Sequence, residues 1–376
     1  MFGKRIHLFS LFGFAVNIDV SWLLLGVLIT WSLATGVFPE MQPKLAPAAY
    51  WWMGVAGALG LFLSLVLHEL SHSLVARRHG IPIRGITLFL FGGVAEMNGE
   101  PSTPGSEFVT AIAGPAASVV IGVFFFALSS VAQMLSWAQE IVTVASYLAV
   151  INLILAGFNL IPAFPLDGGR VLRSALWYFK GDLKWATRLS AGIGSWFGGG
   201  MILLGLIFVL SGRFISGMWW FLIGLFLYGA ARGTYQQLLI RRTFEGVPVR
   251  SLMRTDAITV PREIPVTNLV EQYVYRHHHK LFPVVDRGRL LGCVTTRDIK
   301  QLPREEWPNQ TVGSITKPCS PENTIGPDVD ALQALATMTR TGRSRMLVVE
   351  DDHLVGILSL KDLFGLLSMK LEMEAA

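Results

Sequence analysis

Residues 61–76 read LFLSLVLHELSHSLVA and place two histidines inside an apolar helix. His68 and His72 are four residues apart and therefore lie on one face of the helix, where both imidazoles can bind one zinc ion. Glu69, between them, is placed to accept a proton from water. Ionisable groups are costly in such a hydrophobic helix and usually have a function there. The alternative is a pair of hydrogen-bonded core histidines beside a helix-end carboxylate.

Several other apolar stretches accompany this helix in the first part of the chain. A helix needs about 20 apolar residues to cross a bilayer. Six stretches qualify: Val20–Phe38, Leu45–Leu67 continuing to about Ala76, Phe108–Leu135, Ile141–Ile161, Leu189–Ser211 and Phe214–Ala231. We therefore expect a six-helix transmembrane domain over residues 1–240.

The distribution of lysine and arginine predicts the orientation of these spans. Only Lys44 and Arg213 lie in the loops of one side. Because positive residues collect on cytoplasmic loops, we expect a multi-pass protein of the cell membrane with both termini in the cytoplasm. The basic residues of the other side are Lys4, Arg5, Arg77, Arg78, Arg84, Arg170, Arg173, Lys180, Lys184, Arg188, Arg232, Arg241 and Arg242.

The composition excludes several classes of protein. Apolar residues make up 52% of the 376 residues and charged residues 15%, unlike an ordinary soluble enzyme of this length. The net charge of +5 comes without a basic run or interleaved aromatic residues, so we expect no nucleic-acid partner. Cys293 and Cys319 lack paired spacing, which excludes a disulfide scaffold and a cysteine-ligated zinc ribbon.

The segment Ile86–Met97 does not have the pattern of a helix. It is rich in strand-forming residues and is broken by Gly92 and Gly93. We predict a membrane-associated β-hairpin, which must be shielded by protein or line a watery cavity. The alternative is a surface loop that lies against the membrane.

A catalytic zinc ion usually has three protein ligands and one open position. Asp167 is the foremost candidate for the third ligand, since it lies in NLIPAFPLDGG, residues 159–169, just after the fourth span. The prolines and glycines would end a helix there and turn the carboxylate towards a neighbouring helix end. The alternative role for Asp167 is a cap on the following helix. The other candidate ligands are Asp19, Glu40, Glu96, Glu100, Glu107, Glu140, Asp182, Glu245, His7 and His79.

The last part of the chain contains an internal repeat. FPVVD at 282–286 and LGCVTTRD at 291–298 recur as MLVVE at 346–350 and VGILSLKD at 355–362. Each copy reads helix, strand, turn, strand, helix and is too small to bury a core alone, so we expect a pseudo-symmetric pair. We assign residues 241–248 to a linker, 249–305 to the first copy and 306–370 to the second.

The membrane part resembles the site-2 protease family of intramembrane zinc metalloproteases. The resemblance rests on His68-Glu69-x-x-His72, on residues 159–169 and on AGPAAS at 113–118. It implies that His68, His72 and Asp167 bind one zinc ion, that Glu69 is the general base and that Asn159 stabilises the developing oxyanion. It also implies that the second to fourth spans form the catalytic core.

A protease in a membrane must provide hydrogen bonds for the substrate segment that it unwinds, because unpaired backbone groups cost several kcal/mol each in lipid. The predicted hairpin can supply them if the substrate adds to it as a further strand. The residues predicted to take part are Ile86, Leu88, Leu90, Gly92 and Gly93.

The repeat resembles the cystathionine β-synthase (CBS) domain, which implies a cytosolic α/β module. The signature Gly-x-x-Thr/Ser-x-x-Asp occurs at 292–298 and again at 356–362. The resemblance implies that Thr295 and Ser359 contact phosphate and that Asp298 and Asp362 bind ribose hydroxyls of ATP, ADP or AMP. A carboxylate can accept both hydrogen bonds of a diol.

Together these features predict regulated intramembrane proteolysis of transmembrane substrates, such as anti-sigma factors or other membrane-bound regulators, under the control of an adenine nucleotide. We also expect a homodimer through the CBS modules. The alternative is an ion transporter or channel regulated by a CBS pair. That class explains the spans and the repeat but not the zinc-binding pattern with a carboxylate on another span.

Overall fold

The structure is a computed structural model that describes residues 5–81, 83–89, 92–97 and 101–375. It divides into two compact units, Met1–Gln236 and Gln237–Ala376. The first unit holds long apolar helices and a small sheet, and the second has mixed α/β structure. The fold is that of a multi-pass α-helical membrane protein with an α/β module in its C-terminal part, as predicted.

Six helices in the described part of the chain are long and apolar enough to cross a membrane. A shorter amphipathic helix lies between the fourth and the fifth of them. In chain order the seven helices are α1 Val20–Met41, α2 Pro47–Arg78, α3 Pro104–Met134, α4 Gln139–Asn159, α5 Asp167–Lys180, α6 Leu183–Leu210 and α7 Phe214–Phe244.

Helix α7 differs most from its predicted bounds, because it continues past Ala231 to Phe244. Residues 241–244, which we expected in a linker, are therefore helical. Hydropathy identifies only the apolar part of such a helix. The polar residues that follow, mainly glutamine and arginine, still favour helix.

Small and polar residues hold the central helices together. A β-carbon on Gly60 of α2 would collide with a leucine of α4, and one on Gly122 of α3 would come within 3.1 Å of another leucine of α4. The amide of Asn152 in α4 donates a buried hydrogen bond of 3.0 Å to the hydroxyl of Ser64 in α2. Close approach and interhelical hydrogen bonds are the main attractions between helices in lipid.

The predicted hairpin is present, but it forms half of a four-stranded sheet. The strands lie in the order β1 Arg5–Leu11, β2 Phe14–Asp19, β3 Ile83–Phe89 and β4 Gly92–Met97. The pairs β1–β2 and β3–β4 are antiparallel, and β2 and β3 are parallel. Among the described residues, β4 is an edge strand of this sheet.

The sheet packs on the helix that carries the histidines. Val16 of β2 and Ile86 and Leu88 of β3 are fully buried, and they share one apolar cluster with Val66 and Leu70 of α2. This contact fixes β3 and β4 relative to α2, close to His68 and Glu69.

The second unit contains two copies of the predicted repeat. The first copy has β5 Val260–Pro261, α8 Val266–Asn268, which continues through Leu269–Val274 and Tyr275–His277, β6 Leu281–Asp286, β7 Arg289–Thr295 and α9 Thr296–Lys300. The second copy has α10 Val312–Ile315, β8 Lys317–Pro318, β9 Thr324–Ile325, α11 Ala331–Thr341, β10 Arg345–Glu350, β11 His353–Ser359 and α12 Leu360–Ala375.

The two copies pack against each other and exchange flanking segments. Leu281 and Cys293 of the first copy share a buried cluster with Leu347 of the second. Strand β8, at the start of the second copy, pairs with β7 of the first. Arg254, which precedes β5, forms a bridge with Ile357 of β11. These contacts confirm the predicted pseudo-symmetric pair.

Candidate metal centre

Three potential metal ligands converge in the membrane unit. Nε2 of His68 and Nε2 of His72 are 3.3 Å apart, and Oδ2 of Asp167 lies 3.2 Å from each of them. Both histidines are buried, with 3% of each exposed. Within the described ranges, this is the one group of histidine, cysteine and acidic side chains close enough to hold a metal ion.

Helix α3 fixes the orientation of both imidazoles. Nδ1 of His72 lies 2.7 Å from the carbonyl oxygen of Thr110 and therefore donates to it. Nδ1 of His68 lies 2.8 Å from the hydroxyl oxygen of Ser118. A hydrogen bond at one ring nitrogen determines which nitrogen is left for the metal. Here both Nε2 atoms face Asp167.

The face of α3 between these two contacts is closed to any side chain. Gly114 lies four residues after Thr110 and four before Ser118, directly opposite the imidazoles. A β-carbon on Gly114 would lie 2.5 Å from Nε2 of His68 and nearer still to Nε2 of His72. Glycine therefore leaves the Nε2 atoms unobstructed on this side.

A tight turn places Asp167 beside the two histidines. Helix α4 ends at Asn159, and Asp167 is the first residue of α5. A β-carbon on Gly168 would overlap the carbonyl groups of Leu160 and Ile161, so the start of α5 folds directly against the preceding turn. The Asp167 carboxylate thus faces the imidazoles of α2 from the N-terminus of α5, where negative charge is favoured.

The donor atoms have the spacing of a tetrahedral zinc site. Zinc lies about 2.0–2.2 Å from imidazole nitrogen and carboxylate oxygen, so two ligands at the tetrahedral angle are about 3.3 Å apart. The distances of 3.2–3.3 Å match this value. Two imidazoles and one carboxylate are also a usual ligand set for a catalytic zinc ion with an open position.

Glu69 lies between α2 and the edge strand of the sheet. A β-carbon on Gly93 of β4 would lie 2.8 Å from both Cδ and Oε1 of Glu69. The Glu69 side chain therefore lies against β4 at Gly93, in the space that a side chain at position 93 would occupy. Since Glu69 adjoins His68 in the helix, this strand passes beside the metal centre.

The structure changes the roles predicted for the hairpin. Ile86 and Leu88 lie in β3, which has a strand on each side, so their backbone groups are not at a free edge. Their prediction as pairing residues assumed a hairpin that stands alone, whereas both sides of β3 are already paired here. Gly92 and Gly93 lie in β4, the edge strand. Leu90 lies outside the described residues.

Asn159 is the last residue of α4 and is partly buried. In the part of the chain that the structure describes, its side chain makes no hydrogen bond with the three converging groups. Asn159 thus lies eight residues before Asp167, at the start of the turn that carries this aspartate. The structure shows no hydrogen bond between Asn159 and the three potential metal ligands.

The third span is expected in the catalytic core, but the contacts of individual α3 residues with the histidines are not predicted from the sequence. Thr110, Gly114 and Ser118 occur at successive intervals of four residues, which lie on one helix face. All three are buried. A row of small and hydroxyl residues in a transmembrane helix indicates a close helix contact, but it does not reveal which groups that contact holds.

The CBS signature residues form the starts of two helices. Thr295 and Asp298 make a capping box at α9, in which Oδ2 of Asp298 accepts hydrogen bonds from the backbone nitrogen of Thr295 at 2.9 Å and from its hydroxyl at 2.5 Å. In the second copy, Oδ2 of Asp362 accepts from the backbone nitrogen of Ser359 at 3.1 Å and from its hydroxyl.

Each signature aspartate also pairs with a basic residue of the other copy. Lys317 contacts Oδ1 of Asp298, and Nε of Arg254 lies 3.0 Å from Oδ1 of Asp362. Burial raises the pKa of the Asp298 carboxyl, but hydrogen bonds from Lys317 and Thr295 outweigh it and hold this pKa below its usual value. Both sites thus combine a carboxylate with an exposed cation.

Comparisons with known proteins identify the family of both units. The model of peptidase family M50 matches residues 56–193, and the model of the CBS domain matches residues 249–305 and 312–368. Rip3 of Mycobacterium tuberculosis, which is named a zinc metalloprotease, is 36% identical over 364 residues, which are 95% of this chain and 91% of Rip3.

Two archaeal proteins from Methanocaldococcus jannaschii are also similar. Zinc metalloprotease MJ0392 is 31% identical over 309 residues, which are 82% of this chain and 84% of that protein. The solved structure of a site-2 protease from the same organism is 32% identical, with a TM-score of 0.42, and covers 62% of this chain and 95% of its own. The chain belongs to peptidase family M50, the site-2 proteases, and is a zinc metalloprotease of that type with two CBS domains after its peptidase domain.

Proposed function

We propose that this protein hydrolyses peptide bonds in or near transmembrane segments of membrane-bound proteins, and that His68, His72 and Asp167 bind one zinc ion per chain. The convergence of these three donor atoms at 3.2–3.3 Å carries the proposal. His68 and His72 lie on α2, a helix long and apolar enough to cross a membrane, and this supports cleavage within the bilayer.

A zinc ion held by these three residues would supply a Lewis acid that polarises a carbonyl oxygen and lowers the pKa of bound water to near 7. Glu69 is the general base, which takes a proton from the attacking water and returns it to the leaving amine. Its carboxylate lies beside the histidines and along β4, where a substrate backbone could reach it.

Asn159 is the proposed donor to the oxyanion that develops on the scissile carbonyl. A single such donor is typically worth about 3 kcal/mol in the transition state. The position of Asn159 at the start of the turn that carries Asp167 supports this role. The side-chain amide of Asn159 makes no hydrogen bond to any described residue, so this group is available to a substrate.

Strand β4 is the proposed docking edge for the unwound substrate. Added strands gain main-chain hydrogen bonds from an exposed sheet edge, and β4 is the edge strand that passes Glu69. A peptide paired with β4 through Gly92 and Gly93 would therefore lie beside the general base. This assignment moves the predicted pairing from the whole hairpin to its second strand.

The proposed substrates are transmembrane proteins such as anti-sigma factors or other membrane-bound regulators, cleaved in regulated intramembrane proteolysis. The distribution of lysine and arginine supports a location in the cell membrane with both termini in the cytoplasm. A homodimer through the CBS modules is part of the same proposal.

An adenine nucleotide is the proposed regulator. Thr295 and Ser359 would contact phosphate, and Asp298 and Asp362 would bind ribose. Lys317 and Arg254, which adjoin the two aspartates, provide the positive charge that a phosphate needs. Calorimetry with ATP, ADP and AMP should detect binding to the wild type that an Asp298→Ala, Asp362→Ala double variant loses. Identical heats for both proteins would remove this part of the proposal.

The protease proposal is tested with a Glu69→Gln variant. This variant should keep close to one zinc ion per chain and co-purify with uncleaved substrates, which the wild type then cuts in proteoliposomes. The cut site is read by mass spectrometry and zinc by elemental analysis. Glu140→Gln, at the opposite end of α4 from Asn159, is the matched control and should cleave normally. Cleavage by Glu69→Gln, or full zinc content after His68→Ala, would contradict the proposal.

A further inference from the structure

One face of α3 continues past the two residues that hold the histidines. Glu107 lies three residues before Thr110, on the same face as Thr110, Gly114 and Ser118. Glu107 is fully buried. It contacts neither histidine, and its partner lies instead on α5, the helix that begins with Asp167.

That partner is Arg173. Nε of Arg173 donates a hydrogen bond of 2.7 Å to Oε1 of Glu107, and its Nη2 donates to the same oxygen. The two side chains are 7% and 0% exposed, respectively. In the described part of the chain, the second oxygen of Glu107 has no hydrogen-bond partner. The pair is therefore a buried ionic contact between α3 and α5.

Arg173 belongs to the helix that begins with Asp167 and also contacts the chain before that residue. It lies six residues after Asp167 in α5, which is a rise of about 9 Å along the helix. Its guanidinium group also stacks 5.3 Å from the ring centre of Phe164, three residues before Asp167. Fixing Arg173 thus restrains the chain before and after this carboxylate.

Stability alone does not account for such a contact. Removing two charges from water costs about as much as their attraction returns, and replacing a buried ion pair with apolar groups is often neutral or stabilising. A metal site, by contrast, depends on placing its ligands within about 0.5 Å. The ion pair between Glu107 and Arg173 therefore matters more for the relative position of α3 and α5 than for the free energy of unfolding.

We infer that Glu107 and Arg173 are positioning residues, which set Asp167 at the correct distance from His68 and His72. Helix α3 would then position all three ligands from one face, through Ser118, the carbonyl of Thr110 and Glu107. This inference rests on the proposed function, because it requires Asp167 to bind the metal.

The test is a double variant, Glu107→Gln with Arg173→Met, in the full-length protein. It removes both charges together, so no unpaired charge stays buried and the fold should survive. Zinc affinity is measured by competition with a chromophoric chelator, and unfolding by thermal melting of the full-length protein in detergent after removal of zinc, because bound zinc would itself raise the melting temperature. We expect a melting temperature close to that of the wild type and a 10- to 100-fold weaker zinc affinity, as for other residues that orient metal ligands.

A further variant, with its control, distinguishes the geometry of the Arg173 side chain from its charge. Arg173→Lys keeps the charge but loses the two-pronged geometry of the guanidinium group, and its zinc affinity should lie between those of the wild type and the double variant. The matched control is Glu245→Gln with Arg241→Met, which removes a partly exposed ion pair between residues four apart at the C-terminal end of α7. It should leave zinc affinity unchanged.

The outcomes distinguish this inference from the proposed function. If the double variant melts normally and binds zinc as tightly as the wild type, while His68→Ala abolishes binding, only the inference fails. If His68→Ala also binds zinc normally, the proposed site itself is wrong. If the double variant melts well below the wild type, the pair is structural and the positioning role is overturned.

Discussion

Gly114 of α3 lies against the imidazole of His68, so that a β-carbon at position 114 would come within 2.5 Å of Nε2. Gly114→Ala should therefore displace the histidines and weaken zinc binding by about 100-fold, at the upper end of losses seen when the support of metal ligands is removed. Chelator competition measures this affinity.

The matched control for that variant is Gly157→Ala. A β-carbon on Gly157 of α4 would meet no atom within 4 Å, and alanine favours helix over glycine. This control should bind zinc as the wild type does. Equal zinc affinity in the two alanine variants would show that the close contact at Gly114 has no bearing on the metal centre.

Gly93→Ala should impair cleavage and leave zinc binding unchanged. The three atoms nearest to a methyl group on Gly93 of β4 would all belong to Glu69, and none to an imidazole. We expect unchanged zinc content together with a loss of cleavage of 10²-fold or more, since general base catalysis contributes about 10²- to 10⁴-fold. Cleavage assays and elemental analysis on one preparation give both values. A variant that loses zinc instead would refute the separation of the two roles.

Ser118→Ala removes the hydroxyl beside Nδ1 of His68. Hydrogen bonds to metal-binding histidines are typically worth 10- to 100-fold in metal affinity, so chelator competition should show a loss of that size. Ser130→Ala, in the same helix, removes only a hydroxyl that bonds the carbonyl of Phe126. If both serine variants bind zinc equally, the contact between Ser118 and His68 does not support the metal.

The proposed docking edge is tested by placing proline in β4. Neighbouring residues of a strand direct their backbone N–H groups to opposite sides, so one of Val94→Pro and Ala95→Pro removes an outer donor and the other an inner one. The outer variant should keep zinc and the sheet but cleave substrate at least about tenfold more slowly. The inner variant should weaken the pairing with β3. Normal cleavage by both would exclude strand addition at β4.

The metal ligands could be predicted because their signals are local. The interval between His68 and His72 alone places both imidazoles on one helix face, and the prolines and glycines around Asp167 mark a turn with an unusual carboxylate. The hairpin was predicted from Gly92 and Gly93 in the same way. Each of these patterns is complete within about ten residues.

Other features depend on contacts that the local pattern does not contain. Strands β1 and β2 are not predicted from the sequence, and in β1 a register shift between His7 and Phe9 interrupts the alternation of apolar and polar residues. Ile86 and Leu88 were assigned to a free edge because β2, which covers them, was not foreseen. The supporting residues Thr110 and Ser118 lie about 40 to 50 residues from the histidines, so only the tertiary structure identifies their partners.

A zinc-edge anomalous difference map from crystals of the purified protein tests the central claim most directly. The account predicts one strong peak in the membrane unit, about 2.0–2.2 Å from Nε2 of His68, Nε2 of His72 and a carboxylate oxygen of Asp167. A peak coordinated by other residues, or one that includes the histidines while Asp167 lies beyond bonding distance, would contradict it.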